Sequence, residues 1–417
     1  MLEGSSPRSS ARRSPLSYPA FRVLWLAGIV SFIGSFVQNV GEAWLMMDLT
    51  KSPLPVAILS TAFTGASVLV MLPAGVLADR YDRRRVAFVS QIVQASAALM
   101  MAVLSYTGHI TPGALVFGVA LLGVGMALGA PAWVSLVPEL VPRALVADAV
   151  ALNAVAFNLA RAVGPAIGGL VLSHFGATTS FVLNAASFGV VMIGLTMHRA
   201  GDPPRERTSM APLASTFGAP WTAVRRPGEI RLVMTAMLSF TLGAGFFYAL
   251  TPAFAKDVLG ADARAYGVMI GAMGAGAVLG ASVLKRVRSR TSPQVLVAAT
   301  MLVFAACIAG VSRARSVGMA MALLVPAGAG WLGTFSSLQT LVQIWAPPRL
   351  KARILALYQV CHLVTWASAS ALGGVIADRY GIRAAIGAGA VVCACSAIAT
   401  WKLGLPRSFT DDALRSA

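Results

Sequence analysis

Long apolar runs, broken by short stretches rich in Gly, Pro and charge, follow one another along almost the whole chain. Six runs lie near residues 21–47, 53–78, 86–107, 112–137, 147–173 and 177–197, and six more near 229–255, 265–285, 294–311, 316–344, 353–377 and 382–403. Each is about 18 residues or longer, enough to cross a hydrocarbon core of ~30 Å as a helix. The pattern predicts an all-α membrane protein of about twelve transmembrane helices. It divides into a six-helix bundle over 21–198 and a second over 229–403. A linker at 199–228 carries Arg199, Arg205, Arg207, Arg225, Arg226 and five prolines. That composition belongs to a solvated connector. Residues 1–20, rich in Ser, Arg and Pro, read as a disordered basic tail, and 404–417 as a second tail. The first apolar run is too long for a signal-peptide core and reads as a retained helix.

Composition agrees: 57% of the 417 residues are hydrophobic and 12% charged, against ~25% charged in an ordinary soluble domain. A net charge of +18 raises nucleic-acid binding as a possible function. The basic residues nevertheless sit in short loops between spans, with no single aromatic-interleaved patch, and membrane insertion accounts for them. Of 33 Lys and Arg, 25 fall on the side of the chain termini, seven (Lys51, Lys256, Arg264, Arg313, Arg315, Arg379 and Arg383) on the other, and Arg161 inside a span. The positive-inside rule then places both termini in the cytoplasm. The four cysteines, Cys307, Cys361, Cys393 and Cys395, lie inside apolar runs without metal-ligand spacing and read as small buried hydrophobes. No metal site and no cofactor is expected, and four scattered His offer no catalytic cluster.

The halves resemble each other. Residues 166–176 (AIGGLVLSHFG) align with 371–381 (ALGGVIADRYG), and Val141-Pro142 aligns with Ala346-Pro347 at the same offset. A repeated six-helix unit is the implied architecture.

The sharpest local motif is Gly75-Val-Leu-Ala-Asp79-Arg80-Tyr-Asp82-Arg83-Arg84-Arg85, between the second and third runs. It resembles the loop signature of the major facilitator superfamily, Gly-x-x-x-Asp-Arg-x-Gly-Arg-Arg, and the rest of the chain fits that superfamily, whose two halves are a known case of parallel repeats. The resemblance implies a major facilitator fold and a secondary transporter, not an enzyme. It also implies a gating loop in which Gly75, Asp79, Arg80, Arg83 and Arg84 latch one of two states. Asp82 replaces the family's second Gly and is expected to tolerate the left-handed turn there.

Ala160-Arg161-Ala-Val-Gly164-Pro165-Ala-Ile-Gly168-Gly169 in the fifth run resembles the Gly-x-x-x-Gly-Pro-x-x-Gly-Gly motif of exporting members. Small residues at this spacing let helices approach closely, and Pro165 bends the helix. The first half is most similar to the subgroup of enterobactin and macrolide exporters, which implies a bacterial inner-membrane location with many spans. The Arg that family exporters often carry in the fourth helix is absent from Gly118–Gly123.

Ionisable groups inside the bilayer are costly and point to function. Glu42 closes a polar stripe with Ser31, Ser35 and Gln38 in the first run, and Arg161 lies in the fifth with Asn158 one turn earlier. The resemblance places these two helices around a central cavity. Burial favours a neutral carboxyl and a nearby Arg a charged one, so a carboxyl moving between such settings loads and unloads a proton. Glu42 is therefore the expected proton carrier, with Arg161 as its modulator or an anion contact. Gln38, Asn158, Tyr248, Gln339, Gln343, Gln359, His362 and Trp366 are the expected cavity lining: Ser336, Gln339 and Gln343 share one face of the tenth run, and Gln359, His362 and Trp366 one face of the eleventh. The combined reading is proton-antiport export of a drug-, macrolide- or siderophore-type small molecule by a monomer working through alternating access, with multidrug resistance as its biological setting. Uptake of a small metabolite is the alternative. The expected partners are a small-molecule substrate, protons and the lipid bilayer, with no nucleic acid.

Overall fold

The computed structural model describes residues 14–197, 228–347 and 350–405. The expected linker and most of both expected tails lie outside these residues. Within them the chain is helical: α1 (Pro19–Thr50), α2 (Pro53–Arg80), α3 (Arg83–Tyr106) and α4 (Pro112–Leu136), then a run Val146–Met197. Gly176 interrupts that run with φ 78° and ψ 172°, dividing it into α5 (146–175) and α6 (177–197). The second half follows as α7 (Glu229–Ala253), α8 (Ala263–Arg288), α9 (Pro293–Ser312), α10 (Val317–Trp345), α11 (Lys351–Tyr380) and α12 (Ile382–Leu403). Counting the broken run once, 11 of the described helices are long and apolar enough to span a membrane.

Local chemistry sets these boundaries. Pro19, Pro53 and Pro293 occupy first-turn positions, where a missing N–H costs nothing. Ser292 and Ser316 cap α9 and α10, accepting from the amides of Val295 and Met319. The aligned repeat glycines do the same job in each half: Gly176 (φ 78°) joins α5 to α6, and Gly381 (φ 88°) joins α11 to α12. Only glycine adopts this backbone without strain.

α1 begins at Pro19, preceded by a 3-10 turn at Pro15–Ser17, so helix replaces the end of the expected disordered tail. Asp82 differs from expectation as well. Its φ of −54° is not left-handed, and its carboxylate instead accepts from the amides of Arg84 (2.7 Å) and Arg85 (3.2 Å) as the N-cap of α3. An acid at this position satisfies orphan amides and favours the helix dipole, so the family's glycine is not needed for the turn.

The twelve helices form two bundles of six, as a major facilitator fold requires. Large apolar side chains such as Leu69, Phe117, Leu279 and Val391 point outward, which suits hydrocarbon surroundings and not water. Cys393 is buried, but Cys395, two residues on, faces outward, so burial does not hold for all four cysteines. The reason is the helical step of ~100° per residue, which turns neighbouring positions to different faces. The halves meet chiefly through α5 against α8 and α2 against α11. The face at which α1 begins and α12 ends is called the near face below, and the opposite one the far face.

Candidate functional site

Arg161 on α5 reaches across to the second half. Its Nη2 donates to the Tyr248 hydroxyl on α7 at 2.9 Å, and its guanidinium lies 5.5 Å from the ring centre of Trp331 on α10. Tyr248 also packs on Trp331 and on Trp366 of α11, each at 5.1 Å. Trp331 stacks nearly parallel on Phe335, and His362 lies 5.0 Å from Phe335. Thr241 of α7 fixes the His362 ring through a 3.1 Å hydrogen bond to Nδ1. Trp331 is 4% exposed, and its indole N–H has no partner among the described residues. A cation, an orphan donor and four aromatic faces thus converge at mid-depth. Such a cluster suits planar or apolar groups bearing negative charge or acceptor oxygens.

Trp331, Phe335, Gln339 and Gln343 follow one another at intervals of four on α10, and Gln359 precedes His362 on α11. The stripes therefore run from aromatic at mid-depth to amide toward the near face. Gln339 is half-buried, while Gln343 and Gln359 are exposed. Ser336 turns away and accepts from Arg288 of α8 at 2.9 Å. Phe246 and Phe247, neighbours of Tyr248, are core residues: Phe247 is fully buried against Phe304, and Phe246 packs on Gly373 and Gly389. The side chain of Asn158 lies outside the described set.

Glu42 belongs to a separate network. It is 8% exposed and accepts from Gln38 Nε2 at 3.4 Å. The Asn39 amide, turned to its satisfied orientation, also donates to it at 3.3 Å. Gln38 is fully buried and accepts from Asn184 of α6 at 2.8 Å. Ser187 donates in turn to the Asn184 side-chain amide oxygen at 3.0 Å. Gln38 thus ties α1 to α6 instead of standing open to the aromatic cluster. Glu42 and Arg161, taken together from the sequence as carrier and modulator or anion contact, have different partners. Among the described residues Glu42 has only neutral hydrogen-bond partners, and Arg161 is engaged by Tyr248 and Trp331.

Depth explains the separation. Gly164 rests on Phe36 and Gly168 on Val37 and Val40, which sets the register of α5 against α1. Arg161 is then level with about residue 33, leaving Glu42 some nine residues, or ~14 Å, nearer the far face. A single sequence carries no such inter-helix register.

The small-residue motif serves two contacts. Gly164 and Gly168 seat α5 on α1, whereas Gly169 meets α8 of the other half, where a Cβ would stand 2.8 Å from Gly267 Cα and from the Ala263 carbonyl oxygen. A Cβ at Gly267 would in turn lie 2.6 Å from the Pro165 carbonyl oxygen. On the other side of the molecule Gly374 of α11 packs against Leu54 and Ala57 of α2. Ser52 donates to Asp378 at 3.1 Å, and Thr61 to the Ala367 carbonyl at 3.1 Å. Asp48 of α1 forms an ion pair with Lys256, whose ammonium sits 5.4 Å from the Trp44 ring, and Trp44 stacks on Tyr266 of α8. These cross-half contacts lie at mid-depth and toward the far face.

On the near face, Arg83 pairs with Glu139 after α4, and Asp82 caps α3. Gly75, Asp79 and Arg80 occupy the last turns of α2, and the side chains of Asp79 and Arg80 lie outside the described set. Trp331, Phe335, Thr241, Asn184, Tyr266 and Gly267 were not singled out from the sequence. The four-residue spacing of Trp331 and Phe335 ahead of Gln339 was available there, as was the Ser180, Asn184, Ser187 stripe on α6.

The profile of a family described as transmembrane secretion effector matches residues 10–417. The enterobactin exporter EntS of Escherichia coli is 26% identical over 368 residues, covering 86% of this chain and 85% of its own. An uncharacterized MFS-type transporter, YfiS of Bacillus subtilis, is 26% identical and covers 88% of each chain. The staphyloferrin A transporter of Staphylococcus aureus is 22% identical over 260 residues, spanning 61% of this chain and 64% of that protein. Among solved structures, a bacterial homolog of the human lysosomal transporter Spinster, inward-facing and unoccupied, superposes with a TM-score of 0.69 at 16% identity over 96% of both chains. The nucleoside transporter NupG gives 0.73 at 12% identity, covering 92% of this chain and 99% of its own. With nearly the whole chain matched by one profile and the fold shared with these transporters, the chain belongs to the transmembrane secretion effector family of the major facilitator superfamily, and it is a multi-pass membrane transporter of small molecules.

Proposed function

We propose that this transporter exports an amphipathic small molecule of the siderophore or drug type in exchange for protons. The carrying observation is the cluster in which Arg161 of one half lies against Tyr248 and Trp331 of the other. A substrate held there touches both bundles, so its binding energy can favour one state over the other, as alternating access requires. The amide stripe of Gln339, Gln343 and Gln359 leads into it from the near face. The contacts of Gly169 with Gly267 and of Asp48 with Lys256 fit a state closed toward the far face. Two relatives are named for siderophores, enterobactin and staphyloferrin A, which supports a large, oxygen-rich substrate.

Glu42 is the proposed proton carrier, because it is buried in a span with no cationic partner among the described residues, and burying a lone carboxylate is expensive. Arg161 is assigned to the substrate and not to Glu42. The near-face loop, with Asp79, Arg80, Arg83 and Arg84, is the proposed latch of the opposite state. Both termini and the 199–228 linker between the bundles are placed in the cytoplasm of a bacterial inner membrane, and the monomer is the working unit.

The test uses proteoliposomes carrying an imposed pH gradient. Candidate siderophores or amphipathic drugs are added, and substrate and proton movements are recorded together for wild type and Glu42→Gln. Stoichiometric counter-movement, lost in the variant, is the expected result. Movement of substrate and protons in the same direction would establish uptake by symport and overturn export.

A further inference from the structure

α9 and α12 of the second half border an open crevice of about 880 Å³ toward the far face. Its walls are small: Ala305, Ala306, Ala309, Gly387, Ala390 and Ala394. It lies on the outside of the bundle, away from the Arg161 cluster, and is flanked by Leu302 and Val391, which are 52% and 62% exposed. From Leu302 to Arg313 the crevice follows 11 residues of helix, or ~16 Å. That is about half of a ~30 Å hydrocarbon core, the depth of one leaflet.

Three arginines stand at the interfacial end: Arg313, Arg315 and Arg383. Basic residues are scarce on this face, yet three of its seven converge here. Among the described residues none of the three has a carboxylate within ion-pair distance. Arg383 is held rigidly, donating Nη1 to the Ser312 carbonyl at 2.7 Å and Nη2 to the Ala314 carbonyl at 2.9 Å, with its guanidinium on the Phe254 ring. Arg313 donates only to the Ala309 carbonyl of its own helix at 3.3 Å. Arg315 has no protein partner among the described residues. Five N–H donors per guanidinium leave most of this hydrogen-bonding capacity unused.

We propose that the crevice seats one anionic glycerophospholipid, with its phosphodiester on Arg313, Arg315 and Arg383 and one acyl chain between α9 and α12. Arginine forks match phosphate oxygens. An alanine-walled slot one leaflet deep matches an acyl chain, whereas a free inorganic anion leaves that slot unfilled.

Purified protein in detergent is titrated with phosphatidylglycerol and with phosphatidylethanolamine of equal chain length, and bound lipid is counted by native mass spectrometry. Wild type should retain phosphatidylglycerol preferentially. Arg313→Gln with Arg315→Gln should weaken that retention roughly 30-fold, at about 1 kcal/mol per arginine facing an anionic lipid. Arg383 is left intact because it ties α12 to the turn after α9. Ala306→Trp, at an exposed wall position, fills the slot without changing charge and should weaken retention of both lipids. Melting temperature checks that each variant is folded. Equal retention of the two lipids by wild type would overturn the proposal. So would a phosphatidylglycerol preference that survives the double substitution. Retention that ignores Ala306→Trp but is abolished by inorganic phosphate would replace the lipid with a free-anion site.

Discussion

Arg161 of α5 donates to the Tyr248 hydroxyl of α7 at 2.9 Å, joining the two halves at mid-depth through a hydrogen bond from a charged group. Because α5 and α7 belong to different bundles, any rocking of one against the other changes this contact. A bond of this kind contributes about 1.5–3 kcal/mol net.

Tyr248→Phe should therefore weaken substrate binding by about 10- to 100-fold while leaving the protein folded, since the ring still packs on Trp331 and Trp366. Arg161→Lys should not preserve affinity, because an ammonium lacks the planar fork that both bonds Tyr248 and lies over Trp331. Equilibrium binding in detergent measures both variants. Wild-type affinity in Arg161→Lys would argue that only the charge matters.

Glu42→Gln should abolish substrate-linked proton movement and leave substrate-for-substrate exchange within a few-fold of wild type. Gln keeps the hydrogen-bonding shape next to Gln38 and removes the exchangeable proton. Exchange and net flux measured on the same vesicles separate coupling from binding. Loss of both together would make Glu42 a structural residue of the α1–α6 network.

Gly267→Val should hinder closure of the far face, since its Cβ would stand 2.6 Å from Gly169 Cα and from the Pro165 carbonyl oxygen. Overpacking of this kind costs about 2 kcal/mol, which shifts the closed population roughly 30-fold. Spin labels at positions 52 and 378, whose native side chains hydrogen-bond at 3.1 Å, should report longer distances. Net transport should fall with them.

Asp82→Ala should lower stability by about 1 kcal/mol through loss of the α3 cap, and Asp82→Ser should retain most of it. Asp82→Gly, which restores the residue common in the family motif, should cost only a few tenths of a kcal/mol. Thermal unfolding followed by tryptophan fluorescence ranks the three. Full stability of Asp82→Ala would remove the cap from the account of why Asp replaces Gly here.

Much of the fold was legible in the one-dimensional pattern, for reasons local to the chain. A helix crossing hydrocarbon satisfies its own backbone, so run length and punctuation suffice to place α1 to α12 within a few residues. The repeat alignment put Gly176 and Gly381 at matching positions, and the structure adds that both turn the chain with positive φ, where only glycine relaxes. Charge asymmetry gives an orientation by the same kind of local count. The candidate site was half legible. His362 and Trp366 were selected as residues sharing a face of the eleventh run and Tyr248 as an aromatic of the seventh, and they do converge; Trp331 and Phe335, which complete the cluster, look like ordinary lipid-facing or core aromatics in a sequence.

What tertiary structure alone decided is register between helices. The sequence determines that Glu42 and Arg161 are both intramembrane and therefore costly. Only the seating of Gly164 on Phe36 shows that they stand about nine residues apart in depth, with Arg161 turned to Tyr248 and Glu42 to Gln38. Likewise the near-continuous run 146–197 marks small residues at 164, 168 and 169, but not that two of them face α1 and the third faces α8. Helical periodicity fixes which residues share a face. Which neighbour that face meets, and at what height, depends on packing between segments far apart in the chain, where no local pattern reaches.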